Sequence, residues 1–137
     1  MSTWGEGPFE NDAAADWGGD LDDAEPSARQ EMLRDALEAV FDDNGCLDLE
    51  VVQLAIAAAA VVAASLGGSI VDSSYAPSFL SRGSRRVEAS AIRDLALRAV
   101  DRVSSGESEW RDLWEAAGTF PEAVAELMVI QGALVRA

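Results

Sequence analysis

The chemistry open to this chain is that of carboxylates and one thiol, because its 137 residues include twenty-five aspartates and glutamates, one cysteine and no histidine. The commonest general base and the commonest metal ligand are therefore both missing. Cys46 has no imidazole to draw its proton, and neither a glycine-rich phosphate loop nor a G-x-S-x-G elbow occurs. The run Asp42-x-Asn44-Gly45-x-Leu47-Asp48 is the nearest approach to a calcium loop. With Gly45 at the sixth position of such a loop, Val40 falls at the first and Val51 at the twelfth, where oxygen ligands are required, so the loop reading fails. The acids between Asp16 and Glu25 could hold a hard cation weakly, but no spacing fixes their geometry. Two carboxylates suffice for glycoside hydrolysis, yet nothing in the sequence selects a pair. No catalytic, cofactor-binding or metal-ligating residue is assigned. The expectation is a non-enzymatic protein that binds another macromolecule or regulates it, with two alternatives: an enzyme built on a carboxylate pair, and a structural subunit of a homo-oligomer.

Binding chemistry is better represented. The opening Trp4-Gly5-x-Gly7-Pro8-Phe9-Glu10-Asn11-Asp12-x-Ala14-x-Asp16-Trp17 concentrates aromatic, glycine and acidic residues. Trp4, Phe9, Asn11, Asp12, Asp16, Trp17 and Asp20 form the candidate recognition surface, and Phe9, Ala13 and Trp17 at i, i+4, i+8 would share one helix face. The competing reading is structural: Trp4 and Phe9 pack back over the fold, Asn11 and Asp12 cap a helix, and Asp16 bonds backbone or an arginine.

Through residue 50 there are fifteen acids and two arginines, so thirteen of the fifteen net negative charges lie in the first third of the chain. That excess is either a solubilising face or a surface for a basic protein, such as a nuclease, a nucleic-acid-binding protein or a cationic toxin, against which an immunity-like or inhibitory role would operate. Direct nucleic-acid binding is disfavoured, since phosphate contacts need a basic patch. Arg82, Arg85 and Arg86 are the one basic cluster, expected to dock on the acidic face or to lie in a mobile loop.

The elements that would carry these residues are helices. Period-two alternation is absent and capping signals recur between amphipathic stretches, which predicts an all-α fold: one domain over residues 1–137, an irregular bundle of about six helices. An N-terminal arm, 1–10, precedes a first helix starting near Asn11 or Asp12 and ending by about Asp23, with Gly18-Gly19 a weak spot. Ser27-x-x-Gln30 reads as a capping box for a second helix whose apolar face is Leu33, Ala36, Leu37, Val40 and Phe41, stopping at Asn44-Gly45. Asp48 is placed to cap a third, with Leu47 stapled on Val52. This Ala-rich helix, apolar on nearly every side to Gly67-Gly68, belongs at the centre of the bundle and is too short to span a membrane. A long connection, about 67–86, follows, with one helical turn expected near residues 77–81. Ile92, Leu95, Ala96, Ala99, Val100 and Val103 mark a fourth helix, and Trp110, Leu113, Trp114 and Ala117 a fifth closed by Gly118. Thr119-x-x-Glu122 reads as a further box, with Val124, Leu127, Met128 and Leu134 on the core side of a sixth helix. A homo-oligomer would expose a broad apolar patch around Trp110 and Trp114. The lone thiol and the acidic, non-apolar start point to a cytoplasmic protein.

The opening motif resembles the start of a family of small bacterial proteins known as domain of unknown function 4259. The similarity continues through Ala55 to Ala64, Leu95 to Val103, and Ser108-Glu109-x-x-x-Leu113-Trp114. Being so spread, it covers essentially the whole chain, and it implies no activity, substrate or catalytic residue.

Overall fold

A computed structural model describes residues 11–41, 47–66, 89–105 and 107–136. The expectations for the arm at 1–10, the loop at 42–46, the connection near 67–86 and its Arg82, Arg85 and Arg86 lie outside these residues, as do Trp4, Phe9 and Cys46. The fold is all-α. Among the described residues there are six α-helices: α1 (Asp12–Asp23), α2 (Pro26–Glu38), α3 (Leu49–Ser65), α4 (Ala89–Ser105), α5 (Glu109–Ala117) and α6 (Phe120–Arg136). A 3-10 turn, Ala39–Phe41, extends α2.

The Ala-rich helix α3 is the centre, as its lack of a polar face requires. It touches each of the other five helices, most extensively α4 and α2. From Ala55 to Ala63 every residue is buried. A run of alanines and valines suits this position, because small side chains let helix axes approach from several directions without leaving voids. α4 answers with the predicted stripe, Ile92, Leu95, Ala96, Ala99, Val100 and Val103, all buried.

α1 runs unbroken through Gly18-Gly19. Its core stripe is Ala14, Gly18 and Leu21 at i, i+4, i+7, one position off the Ala13–Trp17 stripe expected from sequence. Gly18 is therefore part of the face turned to α3 rather than a breaker.

Three capping expectations are corrected. α2 begins at Pro26 with Glu25 as its flanking residue (φ −57°, ψ 140°), so Ser27 lies inside the first turn and caps nothing. The cause is Pro26: its ring forces the preceding residue out of the helical region and its own φ starts the helix. Thr119 flanks α6, but its hydroxyl finds no hydrogen-bond partner. Its backbone is committed to closing α5, where Gly118 (φ 79°) donates to Glu115 O and Thr119 N–H donates to Trp114 O at 3.1 Å, a Schellman arrangement. Asp48 occupies the flanking position of α3 without accepting a cap bond. That role passes to Glu109, whose Oε1 accepts from Leu49 N–H at 2.7 Å.

The replacement follows from a short parallel bridge between Leu47 and Ser108. Leu47 N–H donates to Glu107 O and Glu109 N–H donates to Leu47 O at 2.8 Å, which sets the first residue of α5 beside the first turn of α3. Leu47 and Val52 are both fully buried in the core. Ser108, 1% exposed, caps α5 by accepting from Arg111 N–H at 3.0 Å.

The core side of α6 is Ala123, Leu127, Ile130, Ala133 and Leu134. Met128 is corrected to the outer side, 38% exposed, because the buried spacing 123, 127, 130, 134 places it about a third of a turn away from the stripe. No described helix is long and apolar enough to cross a membrane.

Candidate functional site

The predicted recognition residues divide by what their positions demand. Asn11, 5% exposed, is consumed by structure: its Oδ1 accepts from Ala14 N–H at 2.8 Å and caps α1. Asp12 follows in the first turn, partly buried, where a carboxylate meets the positive end of the helix dipole. Trp17 is half-buried and packs against the core. Asp16 and Asp20 are exposed and project from the outer side of α1. Trp4 and Phe9 lie outside the described residues, so the set is not brought together as one site.

A different grouping emerges on the outer sides of α1 and α2. Asp16, Asp20 and Asp23 recur at i, i+4, i+7 along α1, and Glu31, Asp35 and Glu38 do the same along α2. All six are exposed, and none makes an ion pair among the described residues. Helical spacing of four and three stacks carboxylates on one side of each helix, about 5–6 Å apart at their Cβ atoms. Sequence counting found the excess of charge but not this arrangement, which the α-helical period of the acids could have revealed.

The arginine that lies between the two stripes in sequence, Arg29, is turned away from them. Arg29 is 7% exposed. Its Nε donates to Leu21 O at 3.0 Å and an Nη to Asp22 O at 2.8 Å, so the guanidinium closes the C-terminal turn of α1. Carbonyls at a helix end lack intrahelical partners and carry the negative pole of the dipole, which makes a planar cation the fitting cap. Of the two arginines in the first fifty residues, Arg34 alone is exposed.

Arg93 plays the same part for α6, donating to Leu134 O at 2.7 Å and to Val135 O at 3.2 Å. Its contact with Asp94 at 3.5 Å is surface-exposed on the carboxylate side and adds little.

A second polar feature lies on α5, an open groove of about 450 Å³ lined by Glu107, Arg111, Asp112 and Glu115. Arg111 is engaged there with Glu115 at 3.5 Å and over the Phe120 ring at 5.1 Å. Phe120 in turn meets Trp110 edge to face, with centroids 6.0 Å apart. Its three carboxylates are all exposed to solvent, so the groove does not supply the enclosed, convergent pair that acid–base hydrolysis needs. Among the described residues no apolar patch forms around Trp110 and Trp114: both indoles are buried, at 5% and 8% exposure. Among the described residues, no group of three or more acids or thiols is placed to hold a metal ion.

The segments that carry the family likeness have structural jobs wherever they are described. Ala55 to Ala64 is the bundle centre, Leu95 to Val103 the inner face of α4, and Ser108 and Glu109 cap α5 and α3. The family model for domain of unknown function 4259 (DUF4259) matches residues 2–126. No curated protein and no solved structure matches the chain. With the match running from the opening motif into the second turn of α6, the chain belongs to the family of domain of unknown function 4259.

Proposed function

We propose that this chain is a non-enzymatic binding protein that engages a basic protein through the acidic outer sides of α1 and α2, in the manner of an immunity protein or inhibitor. The observation that supports this reading is the inward turn of Arg29, which leaves Asp16, Asp20, Asp23, Glu31, Asp35 and Glu38 exposed without ion-pair partners among the described residues. A surface needed only for solubility gains nothing from withdrawing one of its two cations. A surface aimed at a cationic partner gains a stronger field, which raises the association rate and makes binding sensitive to salt. The cytoplasm is the compartment this reading assumes.

The test is affinity capture from lysate at low and at high salt, with the captured proteins identified by mass spectrometry. The bait is run beside a variant carrying Asp16→Asn, Asp20→Asn, Asp35→Asn and Glu38→Gln. The expected result is a basic protein held at low salt, released at high salt and not held by the variant. A partner retained equally by the variant would refute the assignment of these two helices.

A further inference from the structure

α6 carries two apolar faces, and the fold uses one. Opposite the buried stripe lies a second, Pro121, Ala125, Met128, Gly132 and Val135, whose spacing of four, three, four, three is that of a helix–helix seam. Pro121, Ala125, Met128 and Val135 are exposed, Gly132 is partly so, and Val129 beside them is 51% exposed. Gly132 is the telling residue. Glycine weakens a helix interior, and among the described residues a Cβ built there would meet within 4 Å only the guanidinium of Arg136, the movable tip of a flexible side chain. Nothing among the described residues requires a glycine at this place. A second helix crossing at close range would.

We propose that the occupant of this face is α6 of a second copy, packed antiparallel about a two-fold axis between Met128 and Val129. Three features select a copy of the same chain. The seam is self-complementary: reversing it about that axis sets Ala125 against Gly132 and Pro121 near Val135, with Met128 meeting its own symmetry mate, so small residues face small ones on either side of a central pair. The charged edge is self-complementary as well. Glu122 and Arg136 lie along the same side of the seam, the guanidinium folds back over Gly132, and the two-fold brings that edge against itself, with Arg136 of one copy opposite Pro121 and within a turn of Glu122 of the other. Finally, the charge that would keep copies apart is elsewhere, since residues 51–137 hold ten acids against eight arginines, while the first fifty residues hold fifteen against two. A dimer through α6 leaves the acidic sides of α1 and α2 untouched, so it stands whether or not they bind a basic partner.

Sedimentation equilibrium of the full chain from micromolar to millimolar protein reads the association directly. The expected mass rises with concentration from 14.5 kDa toward twice that value. Ala125→Arg, on an exposed helical position that disturbs no core contact, weakens the dimer by about a hundredfold by opposing Arg136 of the other copy, with an unchanged circular-dichroism spectrum. Glu122→Arg and Arg136→Glu each weaken it, and the two together restore it. A chain that stays at 14.5 kDa throughout, or an Ala125→Arg chain that still doubles in mass, overturns the proposal. Failure of the double exchange to restore association overturns the antiparallel geometry.

Discussion

Replacing Arg29 with methionine isolates the guanidinium from the stem that carries it. Methionine keeps most of the buried methylene packing, so the change measures the bonds of the guanidinium, among them those to Leu21 O and Asp22 O, at 3.0 and 2.8 Å. Hydrogen bonds involving a charged group contribute about 1.5–3 kcal/mol each. Asp22 is partly open to water, which recovers some of the loss at its carbonyl, whereas the bond to Leu21 O is buried and its loss is felt in full. The expected cost is about 2–4 kcal/mol, a large part of the roughly 5–15 kcal/mol that holds a domain folded. Arg29→Lys should fall between, at about 1–2 kcal/mol, because an ammonium cannot fork to two carbonyls in one plane. Urea unfolding followed by tryptophan fluorescence and by circular dichroism gives both values, with an unchanged dependence on urea showing that the unfolded state is the same. A methionine variant within about 0.5 kcal/mol of the parent would refute the reasoning, since surface substitutions behave that way. It would also remove the ground for treating the α1 and α2 carboxylates as uncompensated.

Three further outcomes follow from the same geometry. Glu109→Ala should cost about 1 kcal/mol by uncapping α3, and Asp48→Ala close to nothing, although Asp48 is the nearer residue in sequence; comparable losses for the two would place the cap on Asp48 instead. Leu127→Ala should destabilise by about 2–5 kcal/mol and Met128→Ala by under about 1 kcal/mol in the same unfolding assay at low protein concentration, with equal costs contradicting the orientation of α6. Trp17→Ala should cost about 1.5–3 kcal/mol, the partial value of a half-buried indole, and a variant as stable as the parent would mean that the ring does not pack on the core.

Much of the helical architecture was legible because it depends on periodicity, which is local. The inner face of α4 and the all-round apolar character of α3 needed only a count of residues at three and four. The capping boxes failed where a second local demand competed for the same backbone. Pro26 moved the start of α2 one residue ahead of Ser27, and closing α5 at Gly118 took the backbone of Thr119. Met128 was misplaced because leucine and methionine side by side satisfy the same apolar pattern, and only the packing of α6 against α3 and α4 selects Leu127. In the candidate site, the acidic excess was plain from counting, whereas the loss of Arg29 from that surface was not, since its acceptors are carbonyls that every residue possesses.

Two kinds of property therefore divide along the range of the forces that set them. The sequence by itself determined the helical class, the central place of the Ala-rich segment, the family and the concentration of negative charge in the first third, all of which follow from composition and short-range spacing. Tertiary structure alone decided which side chain caps which helix, as with Glu109 reaching α3 from 60 residues away and Arg93 reaching the end of α6. It also decided which arginine leaves the surface and which of two apolar faces of α6 stays open. Those choices rest on hydrogen bonds between polar groups distant in sequence and on the exclusion of water from one packed interior, and neither leaves a periodic trace in the chain.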